Sequence, residues 1–278
     1  MTRVLHISDT HFGTEIDAVV QALNQALRAA RPDLVLLSGD VTQRARRGQF
    51  AAARAFVQSL DRPVLVVPGN HDIPLFNVLA RVFNPYGNYR RALGVNLEPV
   101  FEDERLLVVG VNSTRPSRRK HGEVSPGQVQ RVAQRLRTAS PAQLRIVLLH
   151  HPVMGTKASD GPNLLINREQ AVPAWVDAGA DLILAGHIHL PFALPLAGSQ
   201  GRQGWAVQAG TALSRRRRGA SPTPSISLTM TRRARACCSA GITRPAWPAS
   251  CRQASIACRC RADRGFFYRR PKRLIRYD

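Results

Sequence analysis

No apolar run in the 278-residue chain approaches the length of a membrane span. The short run after Met1 reads as a strand, not a signal peptide. A soluble, cytoplasmic protein with no membrane partner is the expectation. Acidic residues are scarce: 18 Asp+Glu stand against 40 Lys+Arg, for a formal net charge of +22. Such a surplus points at first sight to a nucleic-acid binder. Cysteine is missing before Cys237, and histidine is missing after His189. Hydrophobic residues, at 44%, exclude wholesale disorder, and the length suffices to bury a core without disulfide staples.

These shortages divide the chain. Residues 1–213 hold 23 Lys+Arg and 16 Asp+Glu, a balance of +7, whereas residues 214–278 hold 17 and 2, a balance of +15. The average charge therefore describes neither part. In 1–213, short apolar runs at Val4–Ile7, Leu34–Leu37, Val64–Val67, Leu106–Val111, Ile146–Leu149 and Leu182–Ala185 read as buried strands. Between them, Ile16–Ala30, Phe50–Leu60 and Leu75–Phe83 repeat apolar residues at helical spacing, the first most cleanly. Ser125 before Pro126 marks a further helix start. Strand–helix alternation predicts an α/β layered fold.

The unusual residues lie where predicted strands end, the usual place for ligands in open α/β sheets. In chain order these ends read Ser8-Asp9-Thr10-His11, Ser38-Gly39-Asp40, Gly69-Asn70-His71-Asp72, His150-His151-Pro152 and Gly186-His187-Ile188-His189. Six of the eight histidines fall there, and only His6 and His121 do not. Carboxylates, imidazoles and an amide oxygen are ligands for hard or borderline metals. The D-x-H and H-x-H spacings place alternate side chains on one side of an extended segment.

This ordered series resembles the calcineurin-like metallophosphoesterases over roughly residues 1–213, nearest the bacterial branch with class III cyclic-nucleotide phosphodiesterases and glycerophosphodiesterases. One D-x-H alone is weak; five clusters in family order, each after a strand, are specific. The resemblance implies a four-layer αββα sandwich of two mixed sheets flanked by helices. It also implies two divalent ions, Mn, Fe or Zn. Asp9, His11, Asp40 and His189 would hold one, and Asp40, Asn70, His150 and His187 the other, with Asp40 bridging. Cations about 3.5–4 Å apart generate hydroxide from a bridging water and neutralise a phosphate for in-line attack. His71 is then placed to protonate the leaving oxygen, and Asp72 to orient that imidazole.

Other residues read more plainly. His151 is expected to support the ligands without binding metal, and His6 to be a hydrogen-bonded core residue. His121, in the run Arg118–His121, and Arg44, Arg46 and Arg47 are either solvated charge or a phosphate-steering rim. Phe76, Phe83, Tyr86 and Tyr89 read as core or lid packing rather than a base-stacking pocket. The basic loops Pro74–Arg91, Thr114–Gly122 and Gly155–Arg168 are expected to rim the pocket.

Residues 214–278 are Arg-, Cys- and Pro-rich without durable periodicity, a composition that reads as disorder or as out-of-frame translation. Cys237-Cys238 and Cys258-Arg259-Cys260 lack zinc-site spacing. Gly219–Ile226 can be encoded GGC GCG AGC CCA ACT CCT TCA ATC. Read from the third base, that string gives Arg-Glu-Pro-Asn-Ser-Phe-Asn, which resembles the family's continuation after G-T-A-x-S. An intact frame at the locus would sink this reading. Without the family's terminal strands of the second sheet, a strand edge there is expected to be unpaired, apolar surface open and the chain aggregation-prone.

The sequence thus points to a binuclear metal-dependent phosphoesterase acting on a small nucleotide or glycerol-type diester. Two alternatives stand beside it: a basic nucleic-acid binder with a structural metal site, and an inactive frameshifted product. The family permits a dimer, and the residues themselves do not choose an oligomeric state.

Overall fold

In the computed structural model, residues 2–213 are described throughout, together with the backbone of 226–231, 235–240, 257–259 and 267–268. The first half runs β1 (Thr2–Ile7), α1 (Asp17–Ala30), β2 (Leu34–Ser38), α2 (Arg47–Ser59), β3 (Val64–Val67), α3 (Val78–Phe83) and α4 (Gly87–Leu93). The second runs β4 (Val100–Glu102), β5 (Leu106–Gly110), α5 (Pro126–Arg137), β6 (Leu144–Leu148), α6 (Arg168–Asp177), β7 (Leu182–Ala185), β8 (Phe192–Ala197) and β9 (Gln203–Gln208). Four further strands are β10 (Ile226–Thr231), β11 (Arg235–Ala240), β12 (Ala257–Arg259) and β13 (Phe267–Tyr268).

Strand side chains alternate between two faces, and here both faces are apolar. Val4, Leu34, Leu36, Leu65 and Val67 meet Leu106, Val108, Ile146, Leu148, Leu184 and Val207 between the two sheets. The intervening residues Leu5, Ile7, Val35, Leu37 and Val66 turn outward onto Leu23 and Leu27 of α1 and Phe50 and Phe56 of α2. On the other sheet Leu107, Val109, Val147 and Ile183 turn outward onto Val129, Val132 and Leu136 of α5 and Trp175 of α6. Three apolar layers separate four structural ones. This is the αββα sandwich that the resemblance implied, within the layered α/β class that the strand–helix alternation predicts.

Both sheets are mixed. One has the order β13-β12-β11-β10-β1-β2-β3 and the other β4-β5-β6-β7-β9-β8. β1, β2 and β3 are parallel, as are β5, β6, β7 and β9, so their carboxyl ends share one edge of each sheet. β10 pairs antiparallel with β1, in the sheet of β2 and β3. Composition averaged over the tail hides the short alternation Ile226, Leu228, Met230 that this strand carries. The tail cysteines, the Arg215–Arg218 run and the readings attached to them lie outside the residues whose side chains are described.

Ser125 caps α5 as its sequence indicates. Its Oγ accepts from Gln128 N at 3.2 Å, and its own N–H donates to Gln128 Oε1 at 3.0 Å. His6 lies fully buried with Nε2 2.8 Å from Ser38 Oγ, the hydrogen-bonded core histidine expected. The helix at Leu75–Phe83 is shorter than its spacing suggests, starting at Val78 behind an Asn77 cap. Its apolar residues do not join the core: Val78, Leu79, Val82 and Phe83 are exposed, Phe83 by 81%. No described helix is long and apolar enough to cross a membrane.

Candidate metal centre

Seven side chains converge where the parallel strands end. Asp9 and His11 follow β1, Asp40 follows β2, Asn70 follows β3, His150 follows β6, and His187 and His189 follow β7. The loops are locked by main-chain bonds: Asp9 N donates to Gly39 O (3.1 Å), His11 N to Asp40 O (2.9 Å) and Gly186 N to His150 O (3.0 Å). The Asp9 carboxylate ties one sheet to the other, since Oδ2 accepts from Ser8 Oγ at 2.6 Å and from His187 N at 2.9 Å.

The D-x-H and H-x-H segments are not extended, which corrects the sequence expectation. Asp9, His11, Asp40, His187 and His189 all have φ between 46° and 75°, in the left-handed region. Asp and His tolerate this region better than most residues, at a cost of about 1–3 kcal/mol each. The loop-to-loop bonds above impose it, and backbone strain thus concentrates on the residues proposed to do the chemistry. Gly39, at φ 84°, meets a second demand: a Cβ there would fall 2.7 Å from His150 Nδ1.

The side-chain atoms form two adjoining groups. In one, His189 Nε2 lies 3.1 Å from both Asp9 Oδ1 and His11 Nε2, and His11 Nε2 is 3.8 Å from Asp40 Oδ2. In the other, His150 Nε2 lies 3.3 Å from Asp40 Oδ1 and 3.2 Å from Asn70 Oδ1. Asp40 thus offers one oxygen to each group. His150 is aimed by Nδ1, which donates to Ser38 O at 2.7 Å. The His187 ring stacks edge-on against His150, with centroids 5.1 Å apart.

Electrostatics set the protonation states. Burial lowers His11 to about 4 and His187 to about 3, so both rings are neutral, the form that binds metal. Burial acts the same way on His150, but the Asp40 carboxylate outweighs it and raises that ring to about 9. Burial pushes the Asp40 and Asp9 carboxyls up; His150 beside Asp40 and His189 beside Asp9 reverse this and hold both below the usual carboxylate range. Buried His187 Nε2 has no hydrogen-bond partner among the described residues, and Asp9 Oδ1 faces the ring nitrogens of His189 (3.1 Å) and His11 (3.7 Å). Buried polar atoms left this way are costly unless another ligand meets them. With carboxylate, imidazole and amide donors around them, this arrangement fits divalent cations. Each of the groups Asp9–His11–His189 and Asp9–Asp40–His150 places its ligand atoms within 4.8 Å of one another.

His151 completes a third such group with His150 and His187. Both its ring nitrogens are engaged, Nε2 donating to Lys120 O at 3.0 Å and Nδ1 accepting from Ser113 Oγ at 2.8 Å. His71 follows Asn70 in a 3-10 turn, Asn70–Asp72, and its N–H donates to Asp40 Oδ1 at 2.8 Å. Its Nδ1 lies 2.9 Å from Gln43 O, which requires an N–H there.

Asp72 does not serve that ring, contrary to expectation. Its Oδ1 accepts from Thr42 N (2.8 Å) and Thr42 Oγ1 (2.9 Å), and its Oδ2 from Gly69 N (2.9 Å) and Val41 N (3.1 Å). It staples the loop after β2 to the loop after β3.

A cavity of about 530 Å³ opens over the centre, lined by Asp40, Asn70, His71, His187 and His189. All three loops expected at the rim contribute to it, through Leu75, through Arg119 and Lys120, and through Asn163. Arg44 lines it too, whereas Arg46, Arg47 and His121 are exposed residues outside the lining. Gln43 and Asn163 carried no signal in the sequence beyond their place in or beside these loops. Tyr86 and Tyr89 are core residues, their hydroxyls bonded to Thr114 Oγ1 (2.7 Å) and Val66 O (3.1 Å).

Residues 2–191 match the family model for calcineurin-like phosphoesterases. The chain belongs to that family. A probable glycerophosphodiester phosphodiesterase of Arcobacter nitrofigilis is 28% identical to this phosphoesterase over 200 residues, spanning 67% of this chain and 71% of that protein. A probable cyclic nucleotide phosphodiesterase of Synechococcus is 28% identical over 202 residues, spanning 68% and 74%. A dimetal phosphatase of Danio rerio shares the fold, with TM-score 0.61 and 15% identity over 85% of this chain and 95% of that one.

Proposed function

We propose that this phosphoesterase hydrolyses a small phosphodiester at a centre of two divalent cations, Mn, Fe or Zn. Asp9, His11, Asp40 and His189 would hold one ion, and Asp40, Asn70, His150 and His187 the other. The observation that carries the reading is Asp40, whose two carboxylate oxygens face the two ligand groups separately. Bound cations supply neutralisation of the phosphate oxygens and acidify the attacking water. The chain does the rest. The left-handed loops present the ligands before metal arrives, so little reorganisation accompanies binding. His71 holds a proton at Nε2 for the leaving alkoxide, and the Gln43 carbonyl keeps Nδ1 protonated through the transfer.

The named relatives suggest a glycerophosphodiester or a cyclic nucleotide as substrate class. The cavity is of a size for such molecules and not for a duplex. Hydrolysis of bis-(p-nitrophenyl) phosphate by metal-stripped protein, with and without Mn²⁺, tests the reading. Turnover that needs the metal and is lost in Asp40→Asn supports it. Soluble, metal-loaded protein without turnover removes diesterase activity on simple esters.

A further inference from the structure

Three cations at the mouth of the cavity have no role in holding metal. Arg44, Arg119 and Lys120 line it, and none of them is in an ion pair among the described residues. Their neighbours differ. Arg118 is paired with Glu123 at 2.6 Å, and Arg115 is bonded to the carbonyls of Asn112 and Thr114. Among the lining residues the only carboxylate is Asp40, at the metal centre.

The rim is also held in place. The Lys120 carbonyl accepts from His151, behind the ligands. Gly122 packs on that same ring, where a Cβ would lie 2.1 Å from Cγ, so the loop approaches this closely only with glycine. The Arg81 guanidinium donates to Pro74 O and to Arg118 O, joining the loop to the segment that carries Leu75. Arg44 stacks over the Phe76 ring at 5.0 Å.

A simple diester carries one negative charge, and that charge belongs at the metal centre. It leaves the rim cations unmatched in a concave site, where charge is focused. We propose that Arg44, Arg119 and Lys120 form a second anion subsite, which takes a phosphate group other than the one hydrolysed. The substrate class is then a phosphodiester bearing a further phosphate, and diesters with a cationic substituent are disfavoured. Ile73 and Leu75 supply an apolar wall for the body that joins the two phosphates. The proposal rests on the phosphoesterase reading of the centre.

Binding of thymidine 5′-monophosphate and thymidine 3′,5′-bisphosphate to the full-length, Mn²⁺-loaded protein is compared by calorimetry. One or two charge-assisted contacts predict about tenfold or more tighter binding of the bisphosphate. The advantage shrinks as salt rises. Combining Arg119→Ala with Lys120→Ala, both exposed positions, cuts the ratio to about threefold or less. Arg54→Ala, an exposed charge on α2, keeps it. Equal affinities in the parent protein, or a ratio that survives in the double variant, overturn the subsite. Thymidine 5′-(p-nitrophenyl phosphate), with and without a 3′-phosphate, gives the same comparison in KM. A bisphosphate preference without metal-dependent turnover of either ester would sink the hydrolase reading and leave the subsite standing.

Discussion

The Nε2 atoms of His11 and His189 lie 3.1 Å apart, although 178 residues separate them in the chain. Asp9 Oδ1 is 3.1 Å from the second and 3.7 Å from the first. Two imidazoles this close share one proton at most, and a divalent cation can replace it and satisfy all three groups. Adding Mn²⁺ to stripped protein at a hundredfold excess over Kd is therefore expected to stabilise it by about 2.7 kcal/mol, raising Tm by about 5–10 °C. His189→Gln should remove most of that rise and lower metal content by elemental analysis. A Tm that ignores metal in the parent protein would show that these groups satisfy one another without it.

His71 should separate from the ligands by its dependence on the leaving group. A p-nitrophenolate departs without a proton, whereas an alkoxide needs one. His71→Ala is expected to cost about 10²–10⁴ in kcat on a glycerol-type diester and less than about tenfold on bis-(p-nitrophenyl) phosphate, with bound metal unchanged. Equal losses on both substrates would instead mark the ring as a positioning group.

Asp72 is expected to behave as a structural residue. Replacing it with Ala strips the partner from the buried N–H groups of Val41, Thr42 and Gly69. An unsatisfied buried donor costs about 1–3 kcal/mol, so Asp72→Ala should lose about 3 kcal/mol or more in urea denaturation. Asp72→Asn, which keeps the shape, should lie between. In neither variant should the leaving-group dependence of kcat change; a change like that of His71→Ala would restore Asp72 to the proton-transfer machinery.

That difference shows how far the sequence could be read. Each proposed ligand follows an apolar strand, so strand pattern and residue type together located Asp9, Asp40, Asn70, His150 and His187 at one edge of the sheets. Side-chain direction was not legible. In the 3-10 turn Asn70–Asp72 successive side chains point about 120° apart, which turns Asp72 away from the ring it follows. Nor were the left-handed backbones at His11 and His189 legible, because bonds between loops distant in sequence impose them. α6 was missed because Pro173 lies inside it and its apolar residues form no clear stripe. The β8–β9 hairpin was missed because Pro195 and Gly204 interrupt its strands. On α3 the helical spacing misled in the other direction, since its apolar residues face solvent.

His6 gives the fold a pH dependence separate from the metal centre. Its ring is buried between the sheets, and Nδ1 has no hydrogen-bond partner among the described residues. Burial lowers its pKa to about 3, against the weaker opposing pull of Asp9. The unfolded chain takes up this proton near pH 6.5, and the folded chain does not. The stability tied to a neutral ring is therefore complete above about pH 6.5 and falls as pH drops from there toward 3. One proton corresponds to a slope of about 1.4 kcal/mol per pH unit. Urea denaturation of metal-free protein at several values between pH 7 and 5 should show His6→Gln losing stability less steeply than the parent, by about that slope. Parallel slopes would mean that the ring accepts its proton inside the fold, which its packing between Ser38 and the apolar layer does not allow.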